Sequence, residues 1–142
     1  MNLTKNFTLE ELISSPTAKR LGIDNTPSAE QLENLFKLAG VLQKIRDSFG
    51  LSIVVNSAFR CEALNNAVGG ASNSDHKFGC AADIQTVGDK YNRNLWNLIT
   101  RMAERGEIEL RQIIDEYNLS WIHISINSKY NECRNNQILH IK

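Results

Sequence analysis

Several things are missing from this sequence, and each absence excludes something. No apolar run approaches the ~20 residues needed to span a bilayer, so no membrane-crossing helix is expected. Neither charge sign dominates: 16 Lys+Arg against 16 Asp+Glu leave a formal net charge of zero. A basic footprint for nucleic acid or an anionic membrane is therefore lacking, and no such partner is expected. The N-terminus has no basic stretch leading into an apolar segment, as a secretory signal would. The expected route is synthesis in the cytoplasm without a signal peptide, with any release towards a cell wall or periplasm supplied by a partner. Cysteine is sparse, and Cys61, Cys80 and Cys133 are odd in number, widely spaced and form no CxxC. That excludes a cysteine zinc knot, makes a poor disulfide framework and predicts free thiols. Repeats, low-complexity segments and interdomain linkers are absent too. A chain of 142 residues is then expected to be a single domain over 1–142, large enough for its own core, and a monomer.

What is present reads as helices followed by a small sheet. Thr8-Leu9-Glu10-Glu11 is a capping box opening a short helix that Pro16 closes. A second helix is predicted over Thr17 to Leu21, with Gly22 at its end. Ser28-Ala29-Glu30-Gln31 caps the longest helix, which stops at Gly50. Its apolar stripe is Leu32, Leu35, Phe36, Ala39, Leu42, Ile45 and Phe49. Leu51 to Val55 is β-branched and apolar and predicts a buried strand. One or two helical turns are expected at Cys61 to Ala67, a loop at Val68 to Asp75, and a short strand at Ala81 to Ile84. An amphipathic helix follows over Arg93 to Arg105, burying Leu95, Trp96, Leu98, Ile99 and Met102. Gln112 to Glu116 and Trp121 to Ile126 read as strands joined by a tight turn, and Gln137 to Ile141 as a last strand. The class is α+β.

Strand alternation selects the chemistry-bearing side chains. Ile122, Ile124 and Ile126 share one face, so Trp121, His123 and Ser125 share the other. Three isoleucines in register belong against the helices, which turns His123 towards an open cleft. Asp83 shares its face with the small Ala81. His76 comes from the loop before that strand, and Gly79 lets the chain turn between the two. Two imidazoles and one carboxylate are the protein ligands of a catalytic zinc site, because they leave one tetrahedral position open for water. Taken singly, a histidine on a strand is more often a surface or hydrogen-bonded core residue, and H-E-x-x-H is absent.

The surroundings of these residues carry more. Ser57-Ala58-Phe59-Arg60, Leu64-Asn65, Val68-Gly69-Gly70, Ser74-x-His76-x-x-Gly79-x-Ala81-x-Asp83 and Trp121-x-His123 together resemble the D-alanyl-D-alanine carboxypeptidase family of zinc peptidases. The closest similarity is to the subgroup of small zinc D-Ala-D-Ala carboxypeptidases and phage-type peptidoglycan peptidases. Phe7-Thr8-Leu9-Glu10-Glu11-Leu12 and Arg46-Asp47-Ser48-Phe49-Gly50 fit the same subgroup. The resemblance runs from Phe7 to about Ser125.

It implies N-terminal helices on a small, mainly antiparallel sheet carrying a zinc site, the hedgehog / D-Ala-D-Ala zinc peptidase fold. It implies Zn as cofactor, held by His76, Asp83 and His123, and Arg60 in the cleft on a substrate carboxylate or carbonyl oxygen. Several branches place an acidic general base three positions before the last histidine. Here that position is Ser120, a departure. Glu116, at the end of the preceding strand, is expected as the base instead, with Asp115 in reserve. Ser74 and Trp121 are candidate substrate contacts, with a turn role and packing as their rivals. Ser125 is a candidate for orienting a ligand. Asp75 and His140 are expected at the surface, Cys80 as a small buried residue, and 127–136 as an exposed polar loop. The implied activity is hydrolysis of peptidoglycan stem peptides, at D-Ala-D-Ala or at an L-Ala-D-Glu-type bond, which suits a phage or prophage lysis protein. The rival is a non-catalytic zinc module binding wall peptides or a protein, which Ser120 keeps open.

Overall fold

The computed structural model describes residues 1–131 and 136–141. Cys133, expected as a free thiol, and part of the polar loop expected over 127–136 lie outside the described residues. Cys61 and Cys80 are free.

Three helices come first: α1 (Leu9–Ile13), α2 (Pro16–Leu21) and α3 (Ala29–Phe49). The Thr8 hydroxyl accepts from the Glu11 N–H and starts α1. Pro16 does more than close α1: it sits in the first turn of α2 behind the Ser15 cap, where its missing N–H costs nothing. Ser28 and Gln31 form a reciprocal capping box at the start of α3. Gly50 ends α3 in the left-handed region at φ 78°. The buried stripe of α3 is Leu35, Leu38, Ala39, Leu42 and Ile45, whereas Phe36 is exposed. At 100° per residue Phe36 falls off the side that Leu35 and Leu38 share, so the stripe is rotated from the one expected.

The remaining elements are β1 (Ile53–Ser57), α4 (Glu62–Ala67), a 3-10 turn at Asp75–Phe78, β2 (Ala81–Thr86), α5 (Asn92–Glu104), β3 (Gln112–Glu116), β4 (Trp121–Ser125) and β5 (Gln137–Ile141). The sheet order is β1-β2-β4-β3-β5. All neighbours are antiparallel except β3 and β5, which are parallel. This is the expected α+β class and a mainly antiparallel sheet. β1 starts two residues later than its sequence suggests and is half-open rather than buried. It is an edge strand, and Leu51, just beyond the left-handed Gly50, is left exposed.

One sheet face is the core. Ala82, Ile84, Ile113, Ile122 and Ile124 are fully buried there, with α5 packed on β2 and β4 and with α3 against α5. Ile126 follows the same side beyond the end of β4. The other face stays open. Register fixes its central row, because side chains of paired residues point the same way. That row reads Ser57, Asp83, His123, Ile114 and Leu139 across the five strands. No helix among the described residues is long and apolar enough to cross a membrane.

Candidate metal centre

Asp83 and His123 meet because the β2–β4 ladder makes them direct partners. The His123 Nδ1 lies 2.9 Å from Asp83 Oδ1. His76 arrives from outside the sheet, on the 3-10 turn, with its Nε2 3.4 Å from the same oxygen. The two imidazole rings stand edge to face with centroids 5.1 Å apart.

His76 is almost fully buried, and its tautomer is set. Nδ1 lies 2.6 Å from the Ala58 carbonyl oxygen. A carbonyl only accepts, so Nδ1 carries the proton and Nε2 keeps its lone pair for a metal. The chain on either side is pinned as well: Arg60 N–H donates to the His76 carbonyl at 3.1 Å, and His76 N–H to the Ser74 hydroxyl at 3.2 Å. Gly79 closes the turn at φ 75°, where a Cβ would stand 2.7 Å from the Gln31 carbonyl oxygen of α3. Gln31 and Asn34 donate from α3 to the Lys77 and Phe78 carbonyls at 3.3 and 2.9 Å. The long helix thus holds the turn as well as the core.

Electrostatics agree with a cation site. Burial pushes the Asp83 carboxyl up, but the His123 imidazole hydrogen-bonded to it and the His76 imidazole beside it outweigh that and hold it well below the usual carboxylate range. Burial lowers the His76 pKa, against the pull of Asp83, and favours the neutral ligand form. One ligand atom from each of His76, Asp83 and His123 lies within 4.8 Å of the others, so the three could hold a metal ion. A tetrahedral zinc with bonds near 2.0–2.1 Å separates its ligands by about 3.3 Å, which fits this spacing and this N,N,O donor set.

Residues 5–125 match the family described as Peptidase M15. The chain belongs to the M15 peptidase family. Its members are zinc-dependent peptidases, and the helices-plus-sheet architecture agrees with the M15 fold. No curated protein matches the chain. The M15 match ends at Ser125, so β5 lies beyond it.

The other sequence candidates of this M15 chain fall on both sides of the sheet. Arg60 is half-buried beside the metal group, with Nη2 3.4 Å from the Ser74 hydroxyl. Its Nε is buried without a hydrogen-bond partner among the described residues. Burial lowers the Arg60 pKa, while the Asp83 and Glu116 charges oppose that shift. Glu116 pairs with Trp121 across the β3–β4 ladder, one step diagonally from His123 on the open face. Burial, then the Asp83 charge, raises its pKa against His123, Trp121 and Arg60. The Trp121 indole N–H is near enough to favour the Glu116 anion, yet makes no well-formed hydrogen bond.

Asp115 faces the core side. Its carboxylate accepts from Leu119 N–H at 2.6 Å and lies 3.1 Å from His140 Nδ1. His140 is exposed, as expected, and it also has Asp115 as a partner and sits against the Trp96 ring. The parallel β3–β5 register makes the pair. Ser125 is fully buried, and its hydroxyl finds no hydrogen-bond partner among the described residues, so it makes no bond to a site residue there. Ser120 is bonded to the Tyr117 carbonyl within the turn. Cys80 is buried, as expected, and its thiol is pushed up to about 11 by that burial.

Asp75 is the clearest correction. It was expected in solvent, but it is buried and paired with Arg111 at 2.7 Å. Sequence reading also missed Arg111 and the Ala58 carbonyl. The ion pair joins residues 36 apart with no local pattern, and a carbonyl has no sequence signature at all.

Proposed function

We propose that His76, Asp83 and His123 hold zinc and that the chain, as one peptidase domain over 1–142, hydrolyses peptidoglycan stem peptides. The bond is the terminal D-Ala-D-Ala link or an internal L-Ala-D-Glu-type link. The observation that carries this reading is the convergence of three ligand atoms on the open sheet face, one of them on an imidazole whose tautomer is already set by Ala58. Zinc, when bound, supplies Lewis acidity towards a water and a carbonyl oxygen.

The chain's own residues supply the rest. Glu116 takes a proton from the attacking water and returns it to the departing amine. Its raised pKa suits that exchange. Asp115 is no rival in that role, since its carboxylate is engaged with Leu119 and His140. Arg60 receives a substrate carboxylate or carbonyl oxygen. Its unpartnered Nε and a neighbouring cavity of about 210 Å³, lined in part by Asn56, Ser57 and Val68, support that role. Ser74 orients the guanidinium, and Trp121 walls the cleft beside Glu116. The enzyme acts as a monomer on wall reached with a partner's help, as a phage or prophage lysis protein would.

The test is mass spectrometry of muropeptides incubated with zinc-loaded protein, with and without a chelator. Loss of one terminal alanine establishes the carboxypeptidase and a new internal amine the endopeptidase, each abolished by chelation. Glu116→Gln should lower kcat by about 10²–10⁴-fold with zinc retained. No cleavage of any stem peptide by zinc-loaded protein, with wall-peptide affinity unchanged in Glu116→Gln, would instead make this a zinc-containing binding module.

A further inference from the structure

We infer that the buried Asp75–Arg111 ion pair is a positioning device for the metal centre, bracing the turn that carries His76 against the strands that carry Asp83 and His123. The inference rests on the zinc reading above and goes beyond it to two residues that touch no metal.

The three ligands are not fixed in the same way. Asp83 and His123 face each other in a ladder, so backbone hydrogen bonds set their separation. His76 belongs to no strand. On the metal side its turn is tied by the Ala58 and Arg60 contacts. On the other side the tie is Asp75, the residue immediately before it. The Asp75 side chain is 4% exposed. Its Oδ2 accepts from Arg111 Nη1 at 2.7 Å, and its Oδ1 accepts from the Asn131 amide. The Asp75 carbonyl accepts from Cys80 N–H at 3.0 Å, where β2 begins.

Arg111 is anchored in the sheet. It immediately precedes β3, and its N–H donates to the Ser125 carbonyl at 2.7 Å, two residues from His123. Its carbonyl accepts from Gln137 N–H at 3.0 Å, at the start of β5. One side chain therefore spans from the β4–β3–β5 ladder to the His76 turn. A buried ion pair is a weak source of net stability, because desolvation offsets its attraction. It is a strong geometric constraint, because both charged groups must stay in register or be left buried and unpaired. Holding one loop-borne ligand to two strand-borne ligands is a task that suits such a pair.

Zinc affinity of the purified, folded protein decides it, read by competition with a chromophoric chelator. Asp75→Asn and Arg111→Met should each weaken zinc binding at least about tenfold. Arg111→Lys, which keeps the charge but not the fork, should fall between them and wild type. Ile45→Val, in the core of α3, serves as a reference: it should lower the melting temperature and leave zinc affinity alone. Affinities within twofold of wild type in the folded variants would overturn the brace. Should Asp75→Asn and Arg111→Met both fail to fold, an unchanged affinity in Arg111→Lys would overturn it by itself. Wild-type protein that binds no zinc would overturn the metal reading and the brace together; tight wild-type binding with unaffected variants would overturn only the brace.

Discussion

Gly79 shows how much one residue carries at this site. It sits between His76 and Asp83, takes φ 75°, and packs its Cα side against the Gln31 carbonyl of α3. A methyl group there meets a backbone oxygen at 2.7 Å, which no rotamer change can relieve. Gly79→Ala should therefore destabilise by more than ~1 kcal/mol, through left-handed strain together with the clash. It should also weaken zinc binding, since the turn and the helix must separate. Urea denaturation and chelator competition would check both; a stability within 0.5 kcal/mol of wild type, on the order of a neutral surface change, would contradict the close packing. At the same scale, His76, Asp83 and His123 are singled out by side-chain type and by the resemblance of their surroundings, and the structure brings the three together. Sequence reading failed for Asp75, whose partner Arg111 lies just before β3, far along the chain, while His140 is exposed as expected but gains Asp115 of β3 as a partner. A charged residue with no local partner looks solvated until tertiary structure supplies one.

Individual elements explain why the site face and the core face separate so cleanly. In β4, alternation sends Ile122 and Ile124 to the core at 0% exposure and leaves His123 on the open side. The isoleucines thereby fix which way the ligand points, because a one-residue slip would reverse the whole strand. Ile122→Ala should cost about 2–5 kcal/mol, the range for deleting a buried aliphatic side chain. Denaturant unfolding would show it as a lower midpoint with an unchanged slope; a loss under ~1 kcal/mol would mean that the strand is less tightly covered than its burial indicates. That alternation, the Ser28 capping box and the Gly50 stop were all legible in the sequence. The rotation of the α3 stripe was not. Phe36 stands at helical spacing from Leu32 and Ala39, as Leu38 does from Leu35 and Leu42, and only the position of α5 and the sheet decides between them.

Across the whole molecule, the acidic and basic groups of the site make stability depend on pH. The metal-free protein keeps His76 buried with its pKa below the ordinary 6.5. The folded state then binds fewer protons than the unfolded state, so the His76 contribution is fully present above pH 6.5 and is lost as pH falls towards the depressed folded value. Asp83 acts with the same sign, its contribution being lost below its ordinary 3.8. The melting temperature of metal-free protein should therefore fall from pH 7 to pH 5, and fall again below about pH 4. His76→Gln should flatten the first step. A level profile in the wild type would speak against a buried neutral imidazole. Saturating zinc should raise the melting temperature at pH 7, by binding only the folded state, and lose that effect on acidification as protons compete for the ligands.

The sequence by itself determined the class, most element boundaries, the two-sided character of β4 and the identity of the three candidate ligands. The first three follow from local physics, capping chemistry and periods of two and 3.6, whereas the ligands are marked by side-chain donor type together with the resemblance of their surroundings to a zinc peptidase family. Tertiary structure alone decided which oxygen and nitrogen atoms face one another, that the Ala58 carbonyl fixes the His76 tautomer, and that Asp75 is buried against Arg111. Those depend on strand order and register between segments far apart in the chain, and contacts made across such distances leave no pattern in either segment alone.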